Sequence, residues 1–340
     1  MFKKSVKKKI HLFMRKPVKG IHFSTENFYS ELFKNFNDKN FEIKFKTCPL
    51  ISRGILNRIY LSFWAFFNQG SINHICGDIN FISIFMNNNK TINTFLDFYS
   101  MRRLKGLKKL IYYIFWIKIP FFKSRKVITI SNNIFNQLKN LIKVKNKKNI
   151  HIIGVSISSN FKKKIKKKFS KNPKILVVGT AINKNIKNII LSLKNIECNL
   201  VLVGKLNSEI IQELIKNKIN YKNLVSINKR KLIKEYIDSD MLLFPSSYEG
   251  FGVPILEAQS VGRPVITSKF QPMRNVAGNA AIFVNPVKIS EISKAVKVII
   301  NNQKLRKSLI QKGFNNIKRF KKEIILKEHL KVYNKIINNL

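Results

Sequence analysis

Short runs of aliphatic residues recur along the C-terminal half of the chain, each followed by a longer segment of helical periodicity. The runs are 174–179 (ending in Gly179), 199–204, 224–227, 241–244, 264–267 and 280–284. A run this short and this continuously apolar predicts a strand buried on both faces. The segment from about Asn185 to Ile196 reads as the first intervening helix. Strand–helix alternation at this spacing predicts a parallel sheet with right-handed crossovers, hence a doubly wound α/β domain. The N-terminal half repeats the pattern less regularly, with predicted strands at 9–13, 41–45, 72–76, 91–96, 127–130 and 150–155. From Ser290 onward the pattern is wholly helical.

A polar, Lys-rich stretch ending at Pro173 separates the two halves. The expected organisation is therefore an N-terminal domain over 1–160, a basic linker over 161–173, a C-terminal domain over 174–318, and a final helix over 319–340 that packs back toward the first domain. Leu110–Phe122 is the most apolar continuous stretch. It is shorter than the roughly 18–20 residues that span a bilayer and it contains Lys118, so it reads as a buried helix. No signal peptide is visible in the basic start.

Composition changes this picture in one respect. With 65 Lys+Arg against 17 Asp+Glu, the 340 residues carry a formal charge of +48, while 45% hydrophobic residues exclude a disordered basic tail. Abundant Asn, Ile, Phe and Lys indicate compositional bias as one source of the charge. No zinc-finger, RRM or KH signature accompanies it, and few aromatics interleave the Lys clusters, so no specific nucleic-acid partner is expected. An anionic membrane surface is the better polyanionic partner, met through Lys3–Lys9 and Arg102–Lys109. Cys48, Cys76 and Cys198 are far apart and odd in number, which excludes a disulfide scaffold and points to a reducing, cytoplasmic setting.

Chemistry concentrates between Phe244 and Thr267. A strand ends at Phe244, a turn carries Gly250 and Gly252, and a helix begins near Pro254, a residue favoured in the first helical turn. The main-chain N–H groups of Gly250, Phe251, Gly252 and Val253 then gather at a helix N-terminus, a ready anion site. Glu249 precedes this turn and Glu257 lies about one turn inside the helix. A carboxylate beside an anion site opposes phosphate unless it has another task, and accepting sugar hydroxyls is such a task. A dinucleotide fingerprint does not fit, because Gly250-x-Gly252 lacks the third glycine.

The block resembles the E-x7-E region of retaining glycosyltransferases of family 4, which have the GT-B fold. That fold implies two facing Rossmann-like domains with parallel sheets and a cleft between them. The resemblance extends to Val178–Asn185, similar to the family's phosphate-contacting loop, and to Pro264–Ser268 and Ser124–Ser131. It implies that Glu249 contacts the transferred sugar as a catalytic residue and that Glu257 contacts the ribose. Lys184, Thr180 and the amides from Gly250 to Val253 would hold the diphosphate, with Gly20 approaching it from the N-terminal domain. Fixed donors aimed at the diphosphate stabilise charge that grows as the sugar–phosphate bond breaks. No metal and no cofactor are expected; the donor is a nucleotide-diphosphate sugar and the acceptor a glycan or lipid-linked oligosaccharide.

The family commonly carries a His-Asp-like pair after the strand that corresponds to 91–97. Here Leu96 stands in the His position and Asp97 is retained, which leaves Asp97 as a catalytic candidate and His74 as a substitute substrate contact. The implied activity is a retaining glycosyltransferase of cell-surface polysaccharide or lipid-linked oligosaccharide synthesis. The alternatives are a catalytically weakened nucleotide-sugar-binding or partner-assisting protein, motivated by Leu96, and a basic nucleic-acid-binding protein.

Overall fold

The computed structural model describes residues 7–17, 24–143, 149–166 and 168–338. The chain divides into two compact units, Met1–Ser156 with Lys322–Leu340 as one and Ile157–Lys321 as the other. Each is built around a six-stranded, all-parallel sheet.

In the first unit the elements run β1 (Lys8–Met14), α1 (Ser24–Leu32), β2 (Phe41–Thr47), α2 (Ile55–Phe67), β3 (Ile72–Ile75) and β4 (Thr91–Phe95). They continue through α3 (Tyr99–Arg103), α4 (Gly106–Tyr112), a π-helical turn over Tyr113–Lys118, α5 (Ile119–Phe122), β5 (Lys126–Thr129), α6 (Asn132–Ile142) and β6 (Ile150–Ile152). The strand order is β2-β1-β3-β4-β5-β6. Strand β1 shows why its sequence is apolar on consecutive positions. Ile10, Leu12 and Met14 enter one core with Tyr29 and Leu32 of α1, whereas Phe13 enters another with Leu61 and Ala65 of α2.

The second unit runs β7 (Lys174–Val178), α7 (Ile186–Leu193), β8 (Asn199–Val203), α8 (Ser208–Lys216), β9 (Tyr221–Leu224), α9 (Lys229–Asp238) and β10 (Met241–Phe244). Then follow α10 (Val253–Ser260), β11 (Val265–Ser268), α11 (Met273–Ala277), β12 (Ile282–Val284), α12 (Ile289–Asn301) and α13 (Gln303–Asn316). Its strand order is β12-β11-β10-β7-β8-β9, the order of a Rossmann sheet. The last helix, α14 (Lys322–Ile337), returns to the first unit and adds Ile325, Val332, Tyr333 and Ile336 to the α1 core.

The basic stretch before β7 is fastened to the second unit. The fully buried Asp240 carboxylate accepts hydrogen bonds from Lys166 Nζ (2.7 Å), the Ser170 amide (3.2 Å) and the Lys174 amide (2.8 Å). The buried Arg263 guanidinium donates to the Lys164 carbonyl (3.1 Å) and the Ile237 carbonyl (2.5 Å).

Two sequence expectations are corrected here. The strand expected at 224–227 is instead Tyr221–Leu224, a polar edge strand with no apolar run to mark it. The segment 110–122 is helical as expected but is not a buried helix. Ile117 and Pro120 are buried, while Leu110, Ile111, Phe115 and Phe122 are exposed, since one helical stripe is all that faces the core.

Candidate active site

Strands β7 and β10 pair in parallel through Met241↔Ile175 and Leu242↔Leu176. From β7 the strand order runs outward to β8 and β9 on one side and to β10, β11 and β12 on the other. The loops after β7 and β10 therefore leave the sheet at its topological switch point, where open α/β sheets place ligands.

The two loops are zipped together. The Ser247 amide donates to the Asn183 carbonyl at 2.8 Å, and Asn183 Nδ2 donates to the Tyr248 carbonyl at 2.8 Å. Asn185, in left-handed conformation at φ 63°, extends Nδ2 to the Pro286 carbonyl at 2.5 Å and the Pro245 carbonyl at 3.3 Å. This scaffold brings Lys184 Nζ to 2.5 Å from Glu249 Oε1, with the two side chains 17% and 13% exposed. Lys184 Nζ also lies 4.6 Å from the centre of the Phe244 ring, a cation–π contact on the last residue of β10. Gly179 makes this possible: its φ is 90°, and a Cβ there would stand 2.8 Å from Lys184 Cε.

After Glu249 the chain turns through Gly250 and Phe251 to Gly252, whose φ of 109° sets the entry to α10. No side chain caps this helix, and Pro254 occupies its first turn. The Phe251 ring is buried edge-on against Phe320 at 5.8 Å, so this residue anchors the turn with its side chain and offers a ligand its main chain. Inside α10, Glu257 Oε2 accepts a hydrogen bond of 2.6 Å from the Tyr236 hydroxyl on α9. Burial first, and the Glu257 carboxylate second, push the Tyr236 phenol well above its usual range, so it remains a donor. Thr180 Oγ1 donates to the Lys205 carbonyl at 2.7 Å, tying the loop after β7 to the one after β8.

Six expected residues of the second unit thus lie in adjoining loops, Glu249, Lys184, Thr180, Gly250, Phe251 and Gly252, with Val253 and Glu257 following inside α10. Asn183, Asn185 and Tyr236 belong to the same constellation and escaped the sequence reading. The asparagines act through main-chain carbonyls that no motif displays, and Tyr236 follows Glu235 in a helix where an aromatic reads as core.

The remaining candidates lie in the first unit. Asp97 is exposed just after β4 and accepts the Tyr99 amide at 2.8 Å as α3 begins. Leu96 lays its side chain over Gly77. Arg15, at the carboxyl end of β1, bridges Glu26 (2.6 Å) and Asp78 (2.5 Å). Gly20 lies outside the described residues.

His74 does not meet its expectation as a substrate contact. It is fully buried, with Nδ1 2.8 Å from the Tyr333 hydroxyl and Nε2 2.7 Å from Thr94 Oγ1, so both ring nitrogens are occupied within the core. Burial, aided by His329, lowers its pKa well below the usual value and keeps it neutral. Among the described residues no group of three or more His, Cys, Asp or Glu is placed to hold a metal ion.

Residues 158–316 match the family described as glycosyl transferases group 1. The chain is 29% identical over 199 residues to the O-antigen chain mannosyltransferase RfbU of Salmonella typhimurium, covering 56% of this chain and 55% of that one. It is 24% identical over 180 residues to the N,N'-diacetylbacillosaminyl-diphospho-undecaprenol α-1,3-N-acetylgalactosaminyltransferase of Campylobacter jejuni, covering 50% and 46%. It therefore spans about half the length of these relatives. HepE of Anabaena, solved with UDP and glucose, superposes with a TM-score of 0.77 over 96% of this chain and 100% of its own, at 13% identity. The fold is GT-B.

Proposed function

We propose, from a chain whose residues 158–316 are a glycosyl transferases group 1 domain, that it is a retaining glycosyltransferase acting on a nucleotide-diphosphate sugar. The observation that carries this reading is the Lys184–Glu249 pair at the switch point, beside the uncapped N-terminus of α10 and followed by Glu257. In this reading Glu257, steadied by the Tyr236 hydroxyl, accepts the ribose hydroxyls. The amides from Gly250 to Val253 and the Lys184 ammonium face the diphosphate. As the bond between the anomeric carbon and the diphosphate oxygen breaks, negative charge grows on the leaving group, and these donors are already oriented toward it. Glu249 accepts hydrogen bonds from the hydroxyls of the departing sugar, and its carboxylate holds Lys184 in register until the diphosphate takes over that partner. Lysine and helix amides supply the positive charge in this scheme, so the reading assigns no step to a metal.

The acceptor we propose is a growing surface glycan or a lipid-linked oligosaccharide. The names of the relatives, an O-antigen chain enzyme and one acting on a diphospho-undecaprenol intermediate, support that class. The three cysteines, all free and buried, support a reducing, cytoplasmic setting. Asp97 is proposed to assist from the first unit. Leu96 in the usual His position favours a second reading, a nucleotide-sugar binder of weak turnover.

The test is transfer of sugar from a panel of donors to a crude lipid or glycan extract. Glu249→Ala and Lys184→Ala are expected to lower turnover at least about 100-fold with an unchanged circular-dichroism spectrum. Wild-type turnover in both variants would refute the assignment. Tight donor binding without transfer by the unaltered chain would select the second reading.

A further inference from the structure

The sheet of the first unit has a switch point of its own. In the order β2-β1-β3-β4-β5-β6 the chain passes from β1 to one flank and resumes on the other with β3, so the loops after these two strands part at their carboxyl ends. Phe13↔Ile75 is the last register pair of β1 and β3. Just beyond it three charged side chains meet: Arg15 after β1, Asp78 after β3 and Glu26 in the first turn of α1.

The three are graded in depth, with side chains 9%, 20% and 55% exposed for Glu26, Arg15 and Asp78. Glu26 accepts Arg15 Nε at 2.6 Å and Nη2 at 3.4 Å, which leaves Nη1 to donate to Asp78 Oδ2 at 2.5 Å. The main chain of Asp78 is fixed as well. Its carbonyl accepts the Trp116 indole N–H at 3.0 Å. Gly77 before it, at φ 110°, lies so close under Leu96 that a Cβ there would stand 2.5 Å from Leu96 Cδ1. Beyond it, Asn80 Nδ2 donates to Asn93 Oδ1 at 3.0 Å and to the Thr94 carbonyl at 3.1 Å.

Stability is not what this arrangement supplies. An ion pair with an open partner contributes little, and burying Glu26 carries a desolvation cost that apolar packing would avoid. Its result is a carboxylate shown to solvent in one orientation, where open α/β sheets take ligands. An ionised carboxylate only accepts hydrogen bonds, so its partner must bring donors. A cation is poorly suited, since Arg15 already occupies both acids. An anion is repelled, because two carboxylates against one guanidinium leave the triad negative within a chain of +48. Lys16 does not reverse that sign: its Nζ turns to the β2 flank and donates to the Pro49 carbonyl at 2.8 Å. The Arg58 guanidinium lies over the Trp116 ring, 4.7 Å from its centre.

We infer that Asp78, held out by the Arg15–Glu26 pair, accepts hydrogen bonds from the hydroxyls of an uncharged sugar, and that this sugar belongs to the acceptor. The sugar contact stands on the triad alone. Its assignment to the acceptor rests on the sugar-transfer reading, in which the described donor contacts all lie in the second unit. Asp78 thereby selects a neutral glycan residue over one that carries phosphate or carboxylate at this point, and Arg15 and Glu26 are positioning residues.

The test is saturation-transfer NMR on the full chain with the methyl glycosides of mannose, galactose and N-acetylglucosamine, and with methyl glucuronide as the anionic counterpart. At least one neutral glycoside is expected to bind both the unaltered chain and Glu249→Ala, and to bind Asp78→Asn at least about tenfold more weakly. The thermal melt of Asp78→Asn is expected to be unchanged, because the side chain is open to solvent. In transfer to a crude glycan extract, Asp78→Asn should raise the acceptor concentration for half-maximal rate at least about tenfold and leave that for the donor unaltered. Glycoside binding undiminished in Asp78→Asn overturns the proposal, as does binding lost in Glu249→Ala alone, equal binding of the glucuronide, or no binding of any glycoside. Neutral-glycoside binding that depends on Asp78 in a chain that transfers nothing would defeat the sugar-transfer reading and leave the sugar site standing.

Discussion

The carboxylates of the candidate site are held by residues whose contribution is orientation. Glu257 projects from a helix toward solvent, and its rotamers are many until one oxygen is fixed. The Tyr236 hydroxyl, immobile within the core, fixes it at 2.6 Å. Replacing Tyr236 by Phe keeps the ring packing against Phe161 and removes only the donor. A hydrogen bond to a charged group contributes about 1.5–3 kcal/mol, and solvent at the half-buried Glu257 recovers part of it. Nucleotide affinity is therefore expected to fall about five- to tenfold in Tyr236→Phe, with the melting temperature little changed. Calorimetric titration with whichever nucleoside diphosphate shifts the melt most checks this, and unaltered affinity would reduce Tyr236 to packing alone. The placement of Glu249 and Glu257 after a strand and within a helix was legible in the sequence because glycines, a proline and a strand end fix where their stretch of chain turns. The Tyr236 contact was not, because it depends on α9 lying beside α10, a tertiary fact with no local signature.

Among the elements, the helix α14 carries the clearest pH dependence. His329 on its inner face is fully buried, with Nδ1 2.9 Å from the Ile325 carbonyl and the rings of Tyr29, Phe33, His74 and Tyr333 around it. Burial pulls its pKa from 6.5 down to about 4, partly opposed by the Ile325 carbonyl and the Glu328 carboxylate. The folded unit thus refuses a proton that the unfolded chain accepts below about pH 6.5. This stability is present above pH 6.5 and is lost as pH falls from there toward about 4, by roughly 3 kcal/mol for His329, with His74 adding in the same direction. Because both tryptophans lie in this unit, urea titrations followed by their fluorescence should show a midpoint that drops across that window, and His329→Leu should flatten the drop. A midpoint constant from pH 7 to pH 4 would show that the histidine cluster takes up protons in place. The elements themselves were largely readable: a strand buried on both faces must be apolar at consecutive positions, so β1, β7, β8 and β10 announce themselves. Strand β9 drifted because its Tyr-Lys-Asn-Leu sequence borders the sheet, where one flank meets solvent. The 110–122 segment misled in the opposite sense, its apolar residues facing outward, since hydropathy records what a side chain prefers and not what surrounds it.

At the scale of the whole molecule the chain makes one unit discontinuous and the other continuous. It leaves the first unit at Ser156, completes the second by Lys321, and returns with α14. The second unit contains its own core from Ile175 to Leu309 and every described residue proposed to hold the donor, Gly20 lying outside the described residues. The first depends on Ile325, Val332, Tyr333 and Ile336 to close the core over β1 and β3, and Tyr333 also satisfies His74. Ending the chain at Lys321 removes four buried side chains at about 2–5 kcal/mol each and leaves a buried polar group without its partner. That loss, about 8–20 kcal/mol in all, is as large as the margin of about 5–15 kcal/mol on which a folded domain rests. The shortened protein is expected to lose the cooperative tryptophan transition of the first unit. The second unit retains its sheet, its Lys184–Glu249 pair and the N-terminus of α10, so it should still melt cooperatively by circular dichroism and still bind nucleoside diphosphate. Were the truncation to abolish both transitions together, the two units would be energetically one, and the stability of the proposed donor site would depend on the returning helix.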